Sequence, residues 1–348
     1  MQQLLSAMKS SAAAFSCFFK INTLLLVCVA INATFAKHQK KRFMINRVLI
    51  RLKVIQIVYA YYKNSGKSLK AAEDEMFFSL SKAYDLYNYM LLIMPGITHY
   101  AADRISFLGM KVRPTESDMN PNMKFVENRF VKELEKNGQL VKFAEKSKLN
   151  WVDNSDLLRR LLDSIQDSEI YKEYMSAETS SFEEDRELWR KLYKAFVFDN
   201  EEIDSMLEEQ SLYWNDDKSI VDTFVLKTIK RYGMGNDAVL LPEYKDEADR
   251  DFARRLLKNT IANAEEYRAL MSESSKNWDM SRLAFMDVVI MQAALAEVMT
   301  FDDIPLSVTL NEYVEIAKHY STAKSGSFVN GLLDNITKKL RQDGKIDK

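Results

Sequence analysis

The stretch Asn311-Glu312-Tyr313-Val314-Glu315-Ile316-Ala317-Lys318, followed by Ser325 and Phe328-Val329-Asn330-Gly331-Leu332-Leu333-Asp334, decides how the rest of the chain is read. Its spacing predicts two helices, over 308–320 and 326–341. Ser325 stands where its hydroxyl can cap the second of them. Gly331 inside a helix costs about 1 kcal/mol relative to Ala, so a close helix contact is expected to require it. Asn311 and Asn330 can either bridge helix ends by hydrogen bonds or touch a ligand. Phe328, one turn into its helix, can pack in the core or offer a ring face to a partner.

Outward from that stretch the helical pattern continues. The 348 residues contain only nine Gly and five Pro, where average usage would give about 24 and about 17. Turn-dense all-β folds and glycine-rich phosphate loops need more of both. Long helices joined by few connections are therefore expected. Ile45–Lys63 carries Val48, Leu52, Ile55 and Tyr59 on one stripe, and Asn64-Ser65-Gly66 ends it. A second helix is read over Ser68–Met94, with Ser68 as N-cap and Pro95-Gly96 interrupting its far end. Residues 109–122 read as a loop. Further helices are expected at about 122–147, 154–176, 181–210, 217–232, 246–272 and 280–300, with a linker over Met234–Lys245. No strand alternation persists anywhere. Residues 185–214 also match 249–278 at ten of 30 positions, pairing Asp185 with Asp249 and Trp214 with Trp278. That echo suggests duplication of one helix and its turn.

The net charge of −1 hides an asymmetry. Lys9, Lys20, Lys37, Lys40, Lys41 and Arg42 all fall in residues 1–43, which have no acid; the remainder carries a net −7. A nucleic-acid site in that body must be a local patch. Cys17 and Cys28 lie in the same 43 residues, leaving the body without thiols, as suits the cytosol. Residues 1–36 resemble a secretory signal, with an apolar run ending in Ala33-Thr34-Phe35-Ala36. Met44 stands directly before the first patterned helix, and translation is expected to start there, making 1–43 an artefact of start assignment. His38, His99 and His319 are too scattered for a metal site, and no cofactor motif is present. Gly66-Lys67-Ser68 lacks the earlier glycine and the strand of a phosphate loop. No HExxH, CxxC or GxSxG occurs, so nothing points to an enzyme.

The closing motifs, with Asn277-Trp278, Arg282, Asp287, Glu297 and Ile304-Pro305 ahead of them, resemble the C-terminal half of the NusB family of transcription antitermination factors. The first helix agrees: Arg47, Arg51, Gln56 and Tyr59 match the family's basic R-x-x-x-R-x-x-x-x-Q-x-x-Y helix. The resemblance implies an all-α fold, a helical bundle of two subdomains, here with an inserted helical lobe. It divides the chain into an extension (1–43), the first core helix (44–63), an insertion (64–246), the C-terminal core (247–341) and a tail (342–348).

The function implied is non-catalytic. The protein would bind boxA-type ribosomal RNA leader together with ribosomal protein S10, within an RNA polymerase antitermination complex, in the cytoplasm and without a membrane. Arg47, Arg51, Lys53 and Gln56 would hold phosphates. Ser325 and Phe328 would engage unpaired bases, with Phe328 stacking, and Lys324 would favour phosphate. Tyr59 and Asp287 would face S10. Val48-Leu49-Ile50 thin the family's arginine run, and Lys324 stands where the family commonly has an acid. A helical interaction scaffold that has lost RNA binding is the alternative, and homodimerisation is left open.

Overall fold

The computed structural model of the chain describes residues 44–64, 68–214, 216–244, 246–275, 283–322 and 324–348. Among them there are helices and no strand. The leader, Gly66-Lys67, Asn277-Trp278 and Arg282 lie outside the described residues, and with them the signal-like reading, the basic Lys37–Arg42 stretch and one half of the Trp214/Trp278 match.

Polar caps start most of the helices. α1 (Arg47–Lys63) begins at Asn46, whose side chain accepts from the Leu49 amide at 2.9 Å. α2 (Leu69–Leu91) begins at Ser68, which accepts from Ala71. α3 (Ile93–Gly109) follows after one residue and carries Pro95 in its first turn, where the missing N–H has no intrahelical partner to lose. The expected loop over 109–122 contains one helical turn, α4 (Glu116–Met119), held by a reciprocal Thr115–Asp118 capping box.

The expected long helices are broken into shorter ones. The 122–147 run divides into α5 (Arg129–Glu135) and α6 (Gly138–Ser147), with Asn137 capping the second. The 154–176 run divides into α7 (Ser155–Asp167) and α8 (Glu169–Ser176) at Ser168. The 181–210 run becomes α9 (Phe182–Leu192), a π-turn at Tyr193–Val197, and α10 (Glu201–Gln210) capped by Asn200. α11 (Lys218–Arg231) leads to the linker. The 246–272 run becomes α12 (Glu247–Ala262) and α13 (Ala264–Ser274), parting at Asn263. α14 (Phe285–Thr300), α15 (Leu306–Tyr320) and α16 (Ser325–Gln342) finish the chain. Scarcity of Gly and Pro thus did not mean few connections, because Asn and Ser side chains do the capping.

One apolar core runs through the first helix, the insertion and the C-terminal helices. α1 sits inside it, packed on α2, α12 and α14. Before α1, the Met44 and Ile45 side chains are buried, and their amides donate to the carbonyls of Pro242 and Glu243 at 2.9 Å. The insertion has its own aromatic anchor. Trp151 stacks on Tyr89 at 4.5 Å and donates its indole N–H to the Tyr89 carbonyl. Gly96 permits that approach, since a Cβ there would stand 2.9 Å from the Trp151 Cβ. Among the described residues, no helix is long and apolar enough to cross a membrane, and no group of three or more His, Cys, Asp or Glu could hold a metal.

Candidate nucleic-acid and partner interface

The first helix places its basic residues differently from the expectation. Arg51 is 3% exposed. Its guanidinium forks onto Glu297 of α14, donating from Nε at 2.7 Å and from a terminal nitrogen at 2.8 Å. Glu297, wholly buried, also accepts from the Thr309 hydroxyl at 2.8 Å and the Tyr313 hydroxyl at 3.1 Å, both on α15. Burial alone would lower the Arg51 pKa, but the Glu297 hydrogen bonds and charge raise it. The same burial, with Glu297 beside it, pushes the Tyr313 phenol well above its ordinary range. Arg51 therefore joins α1, α14 and α15 from inside.

Lys53 is 2% exposed. Its ammonium lies 2.8 Å from Asp217 and donates to the Tyr213 carbonyl at 3.3 Å. Burial pushes the Asp217 carboxyl up to about 6, with Lys53 pulling in the opposite direction. Gln56, half-buried, donates to Asp216 at 2.9 Å. Tyr213, Asp216 and Asp217, between α10 and α11, thus lie across the α1 face read as phosphate-binding. The expectation that Arg51 and Lys53 present a surface to RNA is corrected: both are core charges satisfied within the chain. Arg47 keeps a 37% exposed side chain, 3.7 Å from Asp303, with its guanidinium 4.8 Å from the Phe252 ring centre.

A signal for this was present in the sequence. Between 49 and 58, Leu49, Ile50, Leu52, Val54, Ile55, Ile57 and Val58 are apolar around the whole helix. A helix apolar on all sides is a buried one.

Ser325 and Asp287 were assigned to different partners, yet they meet. The Ser325 hydroxyl donates to Asp287 at 2.8 Å, and both residues are buried. Ser325 also accepts from the Thr322 amide at 3.1 Å. It is the first residue of α16 rather than its cap, which is Lys324. Asp287 holds the start of α16 against α14 and has no surface for S10. Tyr59 is half-buried, with its ring 5.2 Å from Phe285 and the Lys63 ammonium 4.6 Å from the latter.

Around the start of α16 the surface is open. Lys324 is exposed and Phe328 half-buried. Phe328, Ser327, Gly331, Asn335, Lys338 and Lys339 line a groove of about 880 Å³. Lys338 pairs with Asp334 at 2.6 Å and Lys339 with Glu273 at 2.7 Å. Gly331 faces that groove, with no atom within 4 Å of where its Cβ would be, so the expected helix contact is not its reason. The close approach is instead at Gly326, whose Cβ would stand 2.5 Å from Lys318 Cγ of α15. Asn311 and Asn330 face solvent.

The family model described as the NusB family matches residues 230–338, from the end of α11 into α16. Three relatives carry the printed name transcription antitermination protein NusB. The Salinibacter ruber protein is 36% identical over 110 residues, covering 32% of this chain and 69% of its own length. The Chloroherpeton thalassium protein is 35% identical over 111 residues, with 31% and 53% covered. The Acetivibrio thermocellus protein is 40% identical over 93 residues, with 27% and 64% covered. Similarity to the latter two thus spans less than two thirds of their length. No solved structure matches the chain. With an all-helical fold and a 36% identical relative covered over 69% of its length, this chain belongs to the NusB family.

Proposed function

We propose that the protein is a non-catalytic transcription antitermination factor that binds boxA-type ribosomal RNA leader together with ribosomal protein S10. The observation carrying this reading is the open surface at the start of α16, where half-buried Phe328 sits beside exposed Lys324 in a chain of this family. An aromatic ring held at its base can stack an unpaired nucleotide, and a flanking lysine can meet phosphate. Arg47 and Gln56 supply further polar contacts from α1, while Arg51, Lys53 and Ser325 act from beneath by fixing α1 and α16. For S10, the reading places contact on Tyr59 with Phe285 and Lys63 next to it, Asp287 supporting α14 from below.

Filter binding with a boxA RNA, with and without S10, tests this. Tight, salt-sensitive binding that falls about tenfold or more in Phe328→Ala and in Lys324→Glu supports it, since a stacked base is worth about 1–3 kcal/mol. Equal affinity across these variants contradicts it.

The interaction scaffold is the second reading. It is favoured by one observation: Asp216 and Asp217 cover α1, with Asp217 on Lys53 and Asp216 on Gln56. Absence of RNA binding, with or without S10, selects it.

A further inference from the structure

A groove of about 850 Å³ lies within the insertion, walled by α3, α6, the start of α7 and residues 149–152. α3 lines it from Pro95 to Phe107 at steps of three and four residues, so one whole face of that helix looks into it. The two ends of the face differ. At its start Pro95, Leu140, Trp151 and Leu158 are buried, and the groove is an apolar hole between them. At its far end Phe107 is 72% exposed and Met110, one turn on, 81% exposed. Large apolar side chains standing out beside an apolar hole mark a protein-binding surface.

Shape and charge both select a second copy of this chain. Phe107 belongs to the groove's own wall, so it cannot fill the hole beside Gly96, about 16 Å back along the helix. The same residue of another copy can. With the two α3 helices antiparallel and a two-fold axis between Ala101 and Ala102, each Phe107 reaches the other's Gly96, and both contacts form at once. Along the stripe, His99 lies 2.6 Å from Glu135 and Arg104 pairs with Asp163. Asp103 is exposed and has no ion-pair partner among the described residues. The antiparallel arrangement sets Asp103 across from Tyr100, with His99 next to it, and Arg104 across from the His99–Glu135 pair. A stripe carrying both signs does not repel its own copy. We propose that the chain forms a two-fold symmetric dimer through the α3 face of its insertion, each copy placing Phe107 in the other's groove beside Gly96 and Trp151. The surface is separate from α16 and does not rest on RNA binding.

Sedimentation velocity of the full chain tests this, with a reductant present so that Cys17 and Cys28 cannot link copies. Over about a hundredfold range of micromolar concentration the parent should pass from one chain mass to two. Phe107→Glu puts a charge into the hole and Val141→Lys puts one on its rim, and each should weaken dimerisation about tenfold or more. Val308→Glu, at an exposed apolar residue of α15, should leave it unchanged. Mixing Phe107→Glu with Val141→Lys should restore dimers, since one contact of the mixed pair is native and the other joins opposite charges. Circular dichroism melting confirms that each variant folds. A parent that stays monomeric, which leaves the groove to another protein's helix, overturns the proposal. So does equal weakening in Val308→Glu, unchanged dimerisation in Phe107→Glu, or a mixture that does not recover.

Discussion

α1 and the start of α16 carry the two halves of the expected RNA site, and they lie in opposite environments. On α1, Arg51 and Lys53 are buried, each meeting a carboxylate from far along the chain. At α16, Lys324 is exposed and Phe328 is only half-buried. Basic residues on a helix are therefore not in themselves a phosphate-binding face. What lies next to the helix decides, and here the neighbours include the insertion's Tyr213, Asp216 and Asp217.

The sharpest way to break the comparison is to remove a partner of the buried charge. Glu297→Ala leaves Arg51 buried with only the more distant Glu312, at 3.8 Å, and also strands Thr309 and Tyr313. A loss of about 3–5 kcal/mol is expected in denaturant unfolding. Lys324→Ala should lie within about 0.5 kcal/mol of the parent, as an exposed residue does.

Asp217→Ala comes next, at about 3 kcal/mol, because it strands Lys53 in the core. Asp217 also sets a pH dependence. Its carboxyl titrates at about 6 when folded against an ordinary 3.8. Between about pH 4 and 6 the folded state holds a proton that the unfolded chain has released. The stability Asp217 contributes is therefore highest at low pH and falls as pH rises through that window. Unfolding curves across pH 4–7 should show that downward slope in the parent and a flatter one in Asp217→Asn.

These pairings explain what could be read from sequence. Helix positions were legible because apolar spacing is local, and the motifs of α15 and α16 located the C-terminal core. The breaks at Asn137, Ser168 and Asn200 were not, since an Asn or Ser cap looks the same in sequence as a solvent-facing residue. The burial of Arg51 could be read from the all-round apolar helix, but its partner could not, because Glu297 is 246 residues away. Pairing of Ser325 with Asp287 bridges 38 residues, and nothing in either local pattern points to the other.

That pair gives the next smaller effect. Ser325→Ala and Asp287→Ala should each cost about 1–3 kcal/mol, and the double variant less than the sum, because both remove one buried hydrogen bond. A double-mutant cycle checks it. A smaller effect still has the opposite sign. Gly331→Ala has open space for its methyl and should stabilise α16 by about 0.5–1 kcal/mol in thermal melting.

The contrast between the two helices is tested most directly by competitive amine acylation of the native protein, with each lysine followed by mass spectrometry. Lys324 should react at the rate of a free surface amine, and Lys53 at least about a hundredfold more slowly until the protein is unfolded, since local opening limits it. Comparable rates for Lys53 and Lys324 in the folded protein would contradict the burial of the basic α1 face.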